Sequence, residues 1–212
     1  MIQYQPLYTL TDISRYARVN PATVRIWAAS HRSPLLIPAD RASASPFSFI
    51  NLVEAHVLTA LRRVHQVPMQ RIRSSVQWLR RELDTRHPLA EIDVETDGSE
   101  IFARRLGLLV SATAGGQVAF SEILDRYLDR IERGPNAVPN RFFPYTYDDC
   151  PKLIVMDPRI AYGRPVVDRT RVSTVMIYDR YSGGESLTDI ARDYDLDLRA
   201  VEEALRCEIE RR

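Results

Sequence analysis

Hydrophobic residues near the start of the chain recur at the spacing of two short helices. The first helix is predicted from Thr11 to about Arg18, after a threonine cap. Three apolar side chains share its buried face: Ile13, Tyr16 and Ala17. The second helix is predicted to begin at Pro21, because the preceding asparagine suits the N-cap and proline suits the first helical position. Its buried face holds three residues: Val24, Trp27 and Ala28. The pattern therefore predicts a helix-turn-helix whose second helix leaves Thr23 and Arg25 pointing outward.

The opening pattern returns near the end of the chain. Residues 10–15 (LTDISR) recur at an offset of 177 as residues 187–192 (LTDIAR). The later apolar positions stay in register: Val19 with Leu196, and Val24 with Val201. Two explanations remain open, an internal duplication or a phrase that simply starts a helix well, with threonine as the cap and aspartate in the first turn. Either way, the sequence predicts a second helix-turn-helix.

The segments after the first motif change character several times. Residues 30–49 lack helical periodicity and predict a loop or wing carrying Arg32 and Arg41, with a floppy linker as the alternative. Helical spacing then resumes and completes a first domain over residues 1–86. Residues 87–133 predict a β-hairpin region with a small antiparallel sheet, followed by a helix from residue 121 that serves as core or as a dimer seam.

Residues 134–151 predict a linker between domains, because four prolines interrupt them. The linker also holds a dense aromatic cluster: Phe142, Phe143, Tyr145 and Tyr147. Large apolar side chains are costly to leave in water, so these either pack back on a domain or wait for a partner protein. Residues 152–212 then form a small C-terminal domain with the second helix-turn-helix and a short β-hairpin. The expected fold class is α+β and predominantly helical.

Charge is distributed unevenly along the 212 residues. Residues 1–86 carry 12 arginines against 5 acidic residues, a net charge of +7, whereas residues 87–212 have a net charge of −6. The two helix-turn-helix segments differ in the same sense, with +2 for residues 10–28 and −4 for residues 187–205. Only the first can approach a phosphate backbone at low electrostatic cost, so a basic nucleic-acid-binding half is joined to an acidic half.

Other candidate chemistry is sparse. Cys150 and Cys207 form no Cys-x-x-Cys pair, so neither a disulfide framework nor a structural zinc site is indicated. The four histidines lack metal-ligand spacing: His31, His56, His65 and His87. No catalytic grouping is suggested either, so we expect no enzyme activity, metal or cofactor. The N-terminus lacks the layout of a signal peptide, and no apolar run reaches membrane-spanning length, which predicts a cytoplasmic protein.

Three later stretches follow the first helix-turn-helix: Leu35-Leu36-Ile37-Pro38, Phe49-Ile50-Asn51-Leu52-Val53 and Val67-Pro68-Met69-Gln70-Arg71-Ile72. In their order and spacing, the first eighty residues resemble a MerR-type winged-helix DNA-binding domain. The resemblance implies that Arg25 holds a phosphate from the recognition helix, which also carries Asn20 and Thr23. The DNA-binding set is then Arg18, Asn20, Thr23, Arg25, Arg32 and Arg41. One departure concerns the wing, where Phe47-Ser48-Phe49 has a serine in place of the family's usual arginine.

Four stretches precede or open the second helix-turn-helix: Met156-Asp157-Pro158-Arg159-Ile160, Gly163-Arg164-Pro165-Val166-Val167, Thr170-Arg171-Val172 and Gly184-Glu185-Ser186-Leu187. Together with that motif they resemble a small domain common in bacterial antitoxins. Arg169 stands where this family usually has glycine, so a turn that needs positive φ is either strained or rebuilt. Combined with the MerR-like half, the chain resembles a VapB-type antitoxin of a type II toxin-antitoxin system, which implies a VapC-type PIN-domain ribonuclease as partner.

The expected function follows from these resemblances. The chain is expected to neutralise the toxin, to bind operator double-stranded DNA that controls its own operon, and to act as a homodimer on an inverted repeat. The candidate toxin-binding residues form a wedge in the linker: Arg141, Phe142, Phe143 and Tyr145. The alternative is a stand-alone MerR-like transcription regulator whose C-terminal half senses a ligand or mediates dimerisation.

Overall fold

The chain forms two compact units, Gln3–Pro139 and Asn140–Arg212, here called the first and second units. The structure is a computed structural model, and it describes these parts of the chain: residues 1–29, 34–63, 68–82, 84–91, 127–134, 138–144 and 150–209. The boundary at Pro139 lies inside the segment that the sequence predicts as a linker. Among the described residues, helices predominate and two small two-stranded sheets accompany them, so the expected α+β class is confirmed.

In its described residues the first unit contains five α-helices and a short 3-10 turn at Ile2–Tyr4. The helices are α1 (Leu10–Tyr16), α2 (Pro21–Ala29), α3 (Phe49–Arg63), α4 (Met69–Glu82) and α5 (Pro88–Glu91). A backbone bridge between Tyr8 and Phe47 joins the residue before α1 to the segment before α3. The Tyr8 amide donates to the Phe47 carbonyl at 2.8 Å, and the reverse bond measures 3.0 Å. Segment 34–48 is therefore held beside the helix-turn-helix.

Side-chain caps determine where the two helices of the first helix-turn-helix, α1 and α2, begin. Thr9 has extended backbone, its hydroxyl accepts from the Asp12 amide, and the Asp12 carboxylate accepts from the Thr9 amide at 2.9 Å, which completes a capping box. Helix α1 therefore begins one residue before the predicted Thr11, and Thr9 acts as the cap. For α2, the Asn20 side-chain oxygen accepts from the Ala22 amide at 2.8 Å, as the predicted start at Pro21 requires.

Helix α3 is the centre of the first unit and is buried on nearly every side. Its buried polar side chains have specific partners: Asn51 donates to the Ile37 carbonyl at 3.0 Å, and Glu54 lies 3.1 Å from the His87 ring nitrogen. His56, only 2% exposed, lies 3.1 Å from the Tyr127 carbonyl. A helix buried all round occurs when other elements surround it, and the buried polar groups are tolerated because they are hydrogen-bonded.

The end of the first unit differs from the predicted helix. Residues 127 and 128 are helical, but β1 (Ile131–Arg133) and β2 (Pro139–Phe142) form a two-stranded sheet, so the prediction of a helix through residue 133 is wrong. The Gly134 amide donates to the Val138 carbonyl at 2.9 Å, and this hydrogen bond keeps the end of β1 close to the start of β2. Backbone pairing over these residues has overridden their helical spacing. The predicted hairpin region before residue 121 lies outside the described residues, apart from its start at α5.

The second unit places three helices against a short antiparallel sheet. Its strands are β3 (Ile154–Val155) and β4 (Val166–Val167), with Ile154 opposite Val167 and Val155 opposite Val166. Its helices are α6 (Thr174–Ser182), α7 (Leu187–Tyr194) and α8 (Leu198–Ile209). Helices α7 and α8 are the predicted second helix-turn-helix. The core comprises residues from the sheet and all three helices, among them Ile154, Val167, Ile177, Ile190, Val201, Ala204 and Cys207.

Candidate functional sites

Helix α2 presents one continuous exposed face. Four exposed residues follow the i, i+3, i+4, i+7 spacing of a helical stripe: Ala22, Arg25, Ile26 and Ala29. The opposite face is buried in the first unit, with Val24 and Trp27 at 0% and 1% exposure. Arg25 therefore points outward, as predicted from the sequence. Ile26, which is 60% exposed, is the large apolar side chain on this face.

The N-terminal end of α2 borders a cavity of about 270 Å³. Seven residues line it: Arg18, Val19, Asn20, Thr23, Trp27, Thr59 and Arg62. The structure thus brings three of the predicted DNA-binding residues together around one opening. It also adds Arg62 from α3, which the sequence analysis did not select. In the sequence, Arg62 looks like an ordinary surface arginine of α3. Its place in the lining of the cavity beside α2 is seen only in the structure.

Two predicted DNA-binding side chains have structural roles. The Asn20 side chain caps α2, and the Arg41 guanidinium donates to the Ala28 carbonyl at 3.2 Å, so that it caps the other end of the same helix. Both remain exposed beside α2. Arg25 is exposed on the helix itself, whereas the predicted contact Arg32 lies outside the described residues.

The serine in the wing position also has a structural explanation. Ser48 is 1% exposed, and its hydroxyl accepts from the Asn51 amide at 3.2 Å, while the Asn51 side chain accepts from the Ser48 amide at 3.0 Å. This reciprocal pair caps α3. An arginine could not occupy the same buried position without losing the cap. The residue that breaks the MerR-type pattern therefore serves the fold and is unavailable to a DNA groove.

Arg80 holds segment 34–48 from the opposite side. Its guanidinium donates to the carbonyls of Pro34 at 2.6 Å and Leu35 at 3.0 Å, and to that of Arg86 at 3.1 Å. Burial lowers the pKa of this guanidinium, an effect that the charge of Glu54 opposes. The sequence shows Arg80 only as one of several arginines along α4. Its three carbonyl partners instead identify it as an anchor for the segment beside the helix-turn-helix.

The predicted toxin-binding wedge is mostly packed inside the second unit. Phe142 and Phe143 are 0% and 2% exposed, and Phe143 lies in a small cluster with Val155 and Val166. Arg141 forms an ion pair with Asp168, and its guanidinium carbon lies 5.2 Å from the centre of the Phe143 ring. Tyr145 lies outside the described residues. In this conformation the two phenylalanines cannot be offered to a partner.

A different part of the second unit does present a large side chain to solvent. The turn formed by residues 160–165, here called the Tyr162 turn, exposes 84% of Tyr162. Ala161 and Tyr162 have φ values of 48° and 53°, and Gly163 follows with φ 70°. Left-handed backbone is unfavourable for residues with a Cβ, so this turn holds an exposed tyrosine at a conformational cost. Arg164, the next residue, is also exposed.

Arg169, the second departure from the antitoxin-type pattern, adopts left-handed backbone with φ 61°. Of the two expected possibilities, strain or a rebuilt turn, the structure shows strain. The Arg169 amide donates to the Asp168 carboxylate at 2.8 Å, and the arginine side chain is 93% exposed. The turn therefore keeps its glycine-like geometry without a glycine.

The described residues contain no group of three or more histidine, cysteine or acidic side chains placed to hold a metal ion. None of the helices in the described ranges combines the length and the apolar character needed to cross a bilayer.

Comparisons with known proteins cover both units. Residues 6–76 match a family described as "Putative DNA-binding HTH domain". Residues 154–206 match a family described as "Protein of unknown function (DUF433)". The chain superposes on the X-ray crystal structure of Rv2018 from Mycobacterium tuberculosis with a TM-score of 0.76 and 30% sequence identity, covering 95% of this chain and 98% of that one.

Two curated relatives match over almost the whole chain. A protein of Mycobacterium tuberculosis (strain ATCC 25618 / H37Rv) named "Uncharacterized protein Rv2308" is 23% identical, with 94% of this chain and 88% of that protein covered. A protein of the same organism named "Putative antitoxin VapB45" is 33% identical over 225 aligned residues, with 94% of this chain and 92% of that protein covered. The chain therefore belongs to the VapB45 family of antitoxins, and its first unit contains a helix-turn-helix domain of the DNA-binding type.

Proposed function

We propose that this antitoxin binds its operator through the first helix-turn-helix and neutralises a VapC-type PIN-domain ribonuclease through its second unit. One observation carries the assignment of tasks. The two helix-turn-helix motifs share their local structure, yet residues 10–28 of the first carry a net charge of +2 and residues 187–205 of the second a net charge of −4. A phosphate backbone attracts the first and repels the second.

The DNA-binding surface that we propose centres on α2. Arg25 lies on the exposed face, Arg18 and Arg62 border the cavity at its N-terminal end, and Arg41 lies at its C-terminal end. As a MerR-like homodimer, two such helices would enter successive major grooves about 34 Å apart, and the operator would be an inverted repeat. Control of the antitoxin's own operon follows from binding at that operator.

A salt series tests this surface. The affinity of full-length protein for the DNA upstream of its own gene is measured by fluorescence anisotropy between 50 and 200 mM salt. We expect Arg25→Gln to weaken binding to every sequence and to reduce the slope of log affinity against log salt by about 0.9 per protomer. Arg199→Gln is the matched control, because it removes the same charge from the exposed surface of α8. An unchanged slope for Arg25→Gln would remove Arg25 from the interface.

For the toxin contact we propose the Tyr162 turn. The turn keeps a tyrosine 84% exposed in an unfavourable backbone conformation, and the neighbouring Arg164 adds an exposed positive charge. Tyrosine and arginine are the side chains most enriched at protein interfaces. Phe142 and Phe143 are then buried residues that stabilise the second unit, and Arg141 stabilises it through its ion pair with Asp168.

Co-purification tests the toxin contact. The full chain is co-expressed with the product of the adjacent gene, and the complex is isolated through a tag on that product. We expect Tyr162→Ala to lower recovery at least tenfold, and Tyr181→Ala, which truncates an exposed tyrosine on α6, to leave recovery unchanged. Equal recovery with both variants would move the toxin contact elsewhere. If the wild-type chain binds DNA and fails to bind its neighbour, the stand-alone regulator replaces the antitoxin as the function.

A further inference from the structure

We propose that α2 recognises thymine methyl groups in its operator through Ile26, with Ala22 one turn earlier on the same face. The proposal rests on the proposed DNA-binding function and adds which chemical group of the base pairs is read. Thymine is the base that carries a methyl group in the major groove, and apolar side chains are its usual partners.

The first step is that Ile26 does not belong to the protein core. It is 60% exposed, while the residues before and after it on the buried side, Val24 and Trp27, are 0% and 1% exposed. Its neighbours along the exposed stripe are also apolar: Ala22 and Ala29. The outward surface of the helix is therefore made of methyl and methylene groups, with a single arginine among them.

The second step is that few polar side chains belong to this exposed stripe. The Asn20 side-chain oxygen is hydrogen-bonded to the Ala22 amide, and Thr23 faces the cavity that Trp27 and Thr59 also line. Among the exposed residues of Pro21–Ala29, Arg25 is the polar one that can donate to a base edge or a phosphate. A helix with this surface cannot read several bases by hydrogen bonds, so methyl contacts must supply much of its discrimination.

The third step is that charge identifies DNA as the occupant of this face. Arg18 and Arg62 lie at the N-terminal end of α2, and Arg41 lies at its C-terminal end. Guanidinium groups at both ends of an apolar stripe match a major groove, whose floor carries methyl groups and whose two rims are phosphate backbones. A second copy of this chain would instead bring the same arginines against one another.

The test removes single methyl groups from the DNA. The best-bound duplex is first selected from a random pool with the full-length protein. Each thymine is then replaced by deoxyuridine, which keeps the base-pairing groups and lacks the methyl. We expect at least one replacement in each half-site to lower affinity about fourfold, the loss that corresponds to removing one buried methyl-sized group.

Combining the DNA change with a protein change assigns the contact. Ile26→Ala should lower affinity for the thymine duplex to a similar extent and should make the protein insensitive to the same replacement. Ile209→Ala, which truncates another exposed isoleucine in the second unit, should leave both affinities unchanged. Because Ile26 is exposed, the variant should unfold at the wild-type temperature, which thermal unfolding verifies.

Each other outcome overturns a defined part of the account. Sequence-selective binding without deoxyuridine sensitivity overturns the methyl inference and leaves DNA binding intact. Deoxyuridine sensitivity that persists in Ile26→Ala shows that another residue reads the methyl. Loss of dimerisation or of toxin binding in Ile26→Ala, with equal affinity for both duplexes, makes this face a protein interface. Absence of binding to any duplex overturns the DNA-binding function, and the inference with it.

Discussion

The two helix-turn-helix motifs of this chain have the same local structure and different surfaces. Helices α1 and α7 begin at Leu10 and Leu187, and helices α2 and α8 begin at Pro21 and Leu198. Both pairs are separated by the offset of 177 that relates the repeated sequence. The spacing of caps and apolar residues therefore determines where these helices form, irrespective of the charges around them.

The agreement extends to individual residues of the backbone and core. Four pairs hold equivalent positions: Thr9 and Ser186 as first caps, Asn20 and Asp197 as second caps, Arg18 and Asp195 in left-handed backbone, and Ile13 and Ile190 in the core. The second caps accept from equivalent amides at 2.8 and 2.7 Å. Arginine and aspartate fill the same left-handed position, so the connection between the helices does not depend on residue type there.

The surfaces differ at the positions that a recognition helix would use. The residues of α8 that correspond to Ala22, Arg25, Ile26 and Ala29 are Arg199, Glu202, Glu203 and Arg206. Glu203 is only 5% exposed, and Glu202 is half-buried. Helix α8 also packs against α6, where Thr174 donates to Glu208 at 2.5 Å. The face of α8 that corresponds to the exposed face of α2 is therefore partly covered within the second unit.

Truncating the matched core isoleucines should have the largest effect. Ile13 and Ile190 are both fully buried, so either change to alanine should cost the unit that carries it about 2–5 kcal/mol of unfolding free energy. Both tryptophans, Trp27 and Trp78, lie in the first unit, so urea unfolding followed by tryptophan fluorescence should shift for Ile13→Ala alone. Far-UV circular dichroism should show the second transition shifting for Ile190→Ala. A shift of both transitions by either variant would mean that the units do not unfold separately.

The next largest effect should come from a drop in pH, which should destabilise the first unit through His56. Burial lowers the pKa of His56 to about 4, although the hydrogen bond that its ring makes to the Tyr127 carbonyl opposes this shift. The unfolded chain has a histidine pKa of about 6.5, so it binds a proton that the folded unit does not, and lowering the pH from 7 to 5 should cost about 2 kcal/mol. The second unit has no histidine. Thermal unfolding at both pH values should show that the first unit is less stable at pH 5, and that His56→Gln removes this difference. If His56→Gln were destabilised by acid as much as the wild type, the account would be contradicted.

The matched caps should give a smaller and nearly equal effect. Asn20→Ala and Asp197→Ala each leave an equivalent helix amide without its partner, and each should cost about 1 kcal/mol in its own unit. Urea midpoints of the two transitions measure this directly. Asn20→Ala should also weaken DNA binding, because the start of α2 frays, whereas Asp197→Ala should leave DNA affinity unchanged. If Asp197→Ala lowered DNA affinity as much as Asn20→Ala, the assignment of DNA binding to the first motif alone would be wrong.

Relieving left-handed strain should give the smallest effect, and one of opposite sign. Arg169→Gly should stabilise the second unit by about 0.5–1 kcal/mol, because glycine adopts positive φ without a Cβ penalty. Tyr162→Gly should stabilise it similarly and should also weaken toxin binding. Thermal unfolding and co-purification of both variants test this. If Tyr162→Gly retained full toxin binding, the Tyr162 turn would be a structural feature alone.

The sequence predicted the elements whose caps and apolar spacing agree. The second helix was placed correctly at Pro21, and both helix-turn-helix motifs were found, because their cores repeat at the helical period. It failed at Ile131, which has helical spacing and forms a strand, since pairing with β2 depends on residues further along the chain.

Roles that depend on backbone partners could not be predicted. Arg41 and Arg80 appear in the sequence as surface cations, and the structure shows both bound to main-chain carbonyls. Arg62 gains its place beside α2 only through the packing of α3. Aromatic composition made Phe142 and Phe143 candidates for a partner contact, and their burial depends on the sheet and loop of the second unit.

The most direct test of the division of tasks uses operator DNA immobilised on beads, the full chain and its toxin. The account predicts that wild-type protein retains the toxin on the beads, that Tyr162→Ala is itself retained without the toxin, and that Arg25→Gln loses both. In solution, Arg25→Gln should still co-purify with the toxin. If one substitution abolished DNA binding and toxin binding together in properly folded protein, the two tasks would share a surface, and the central claim would be contradicted.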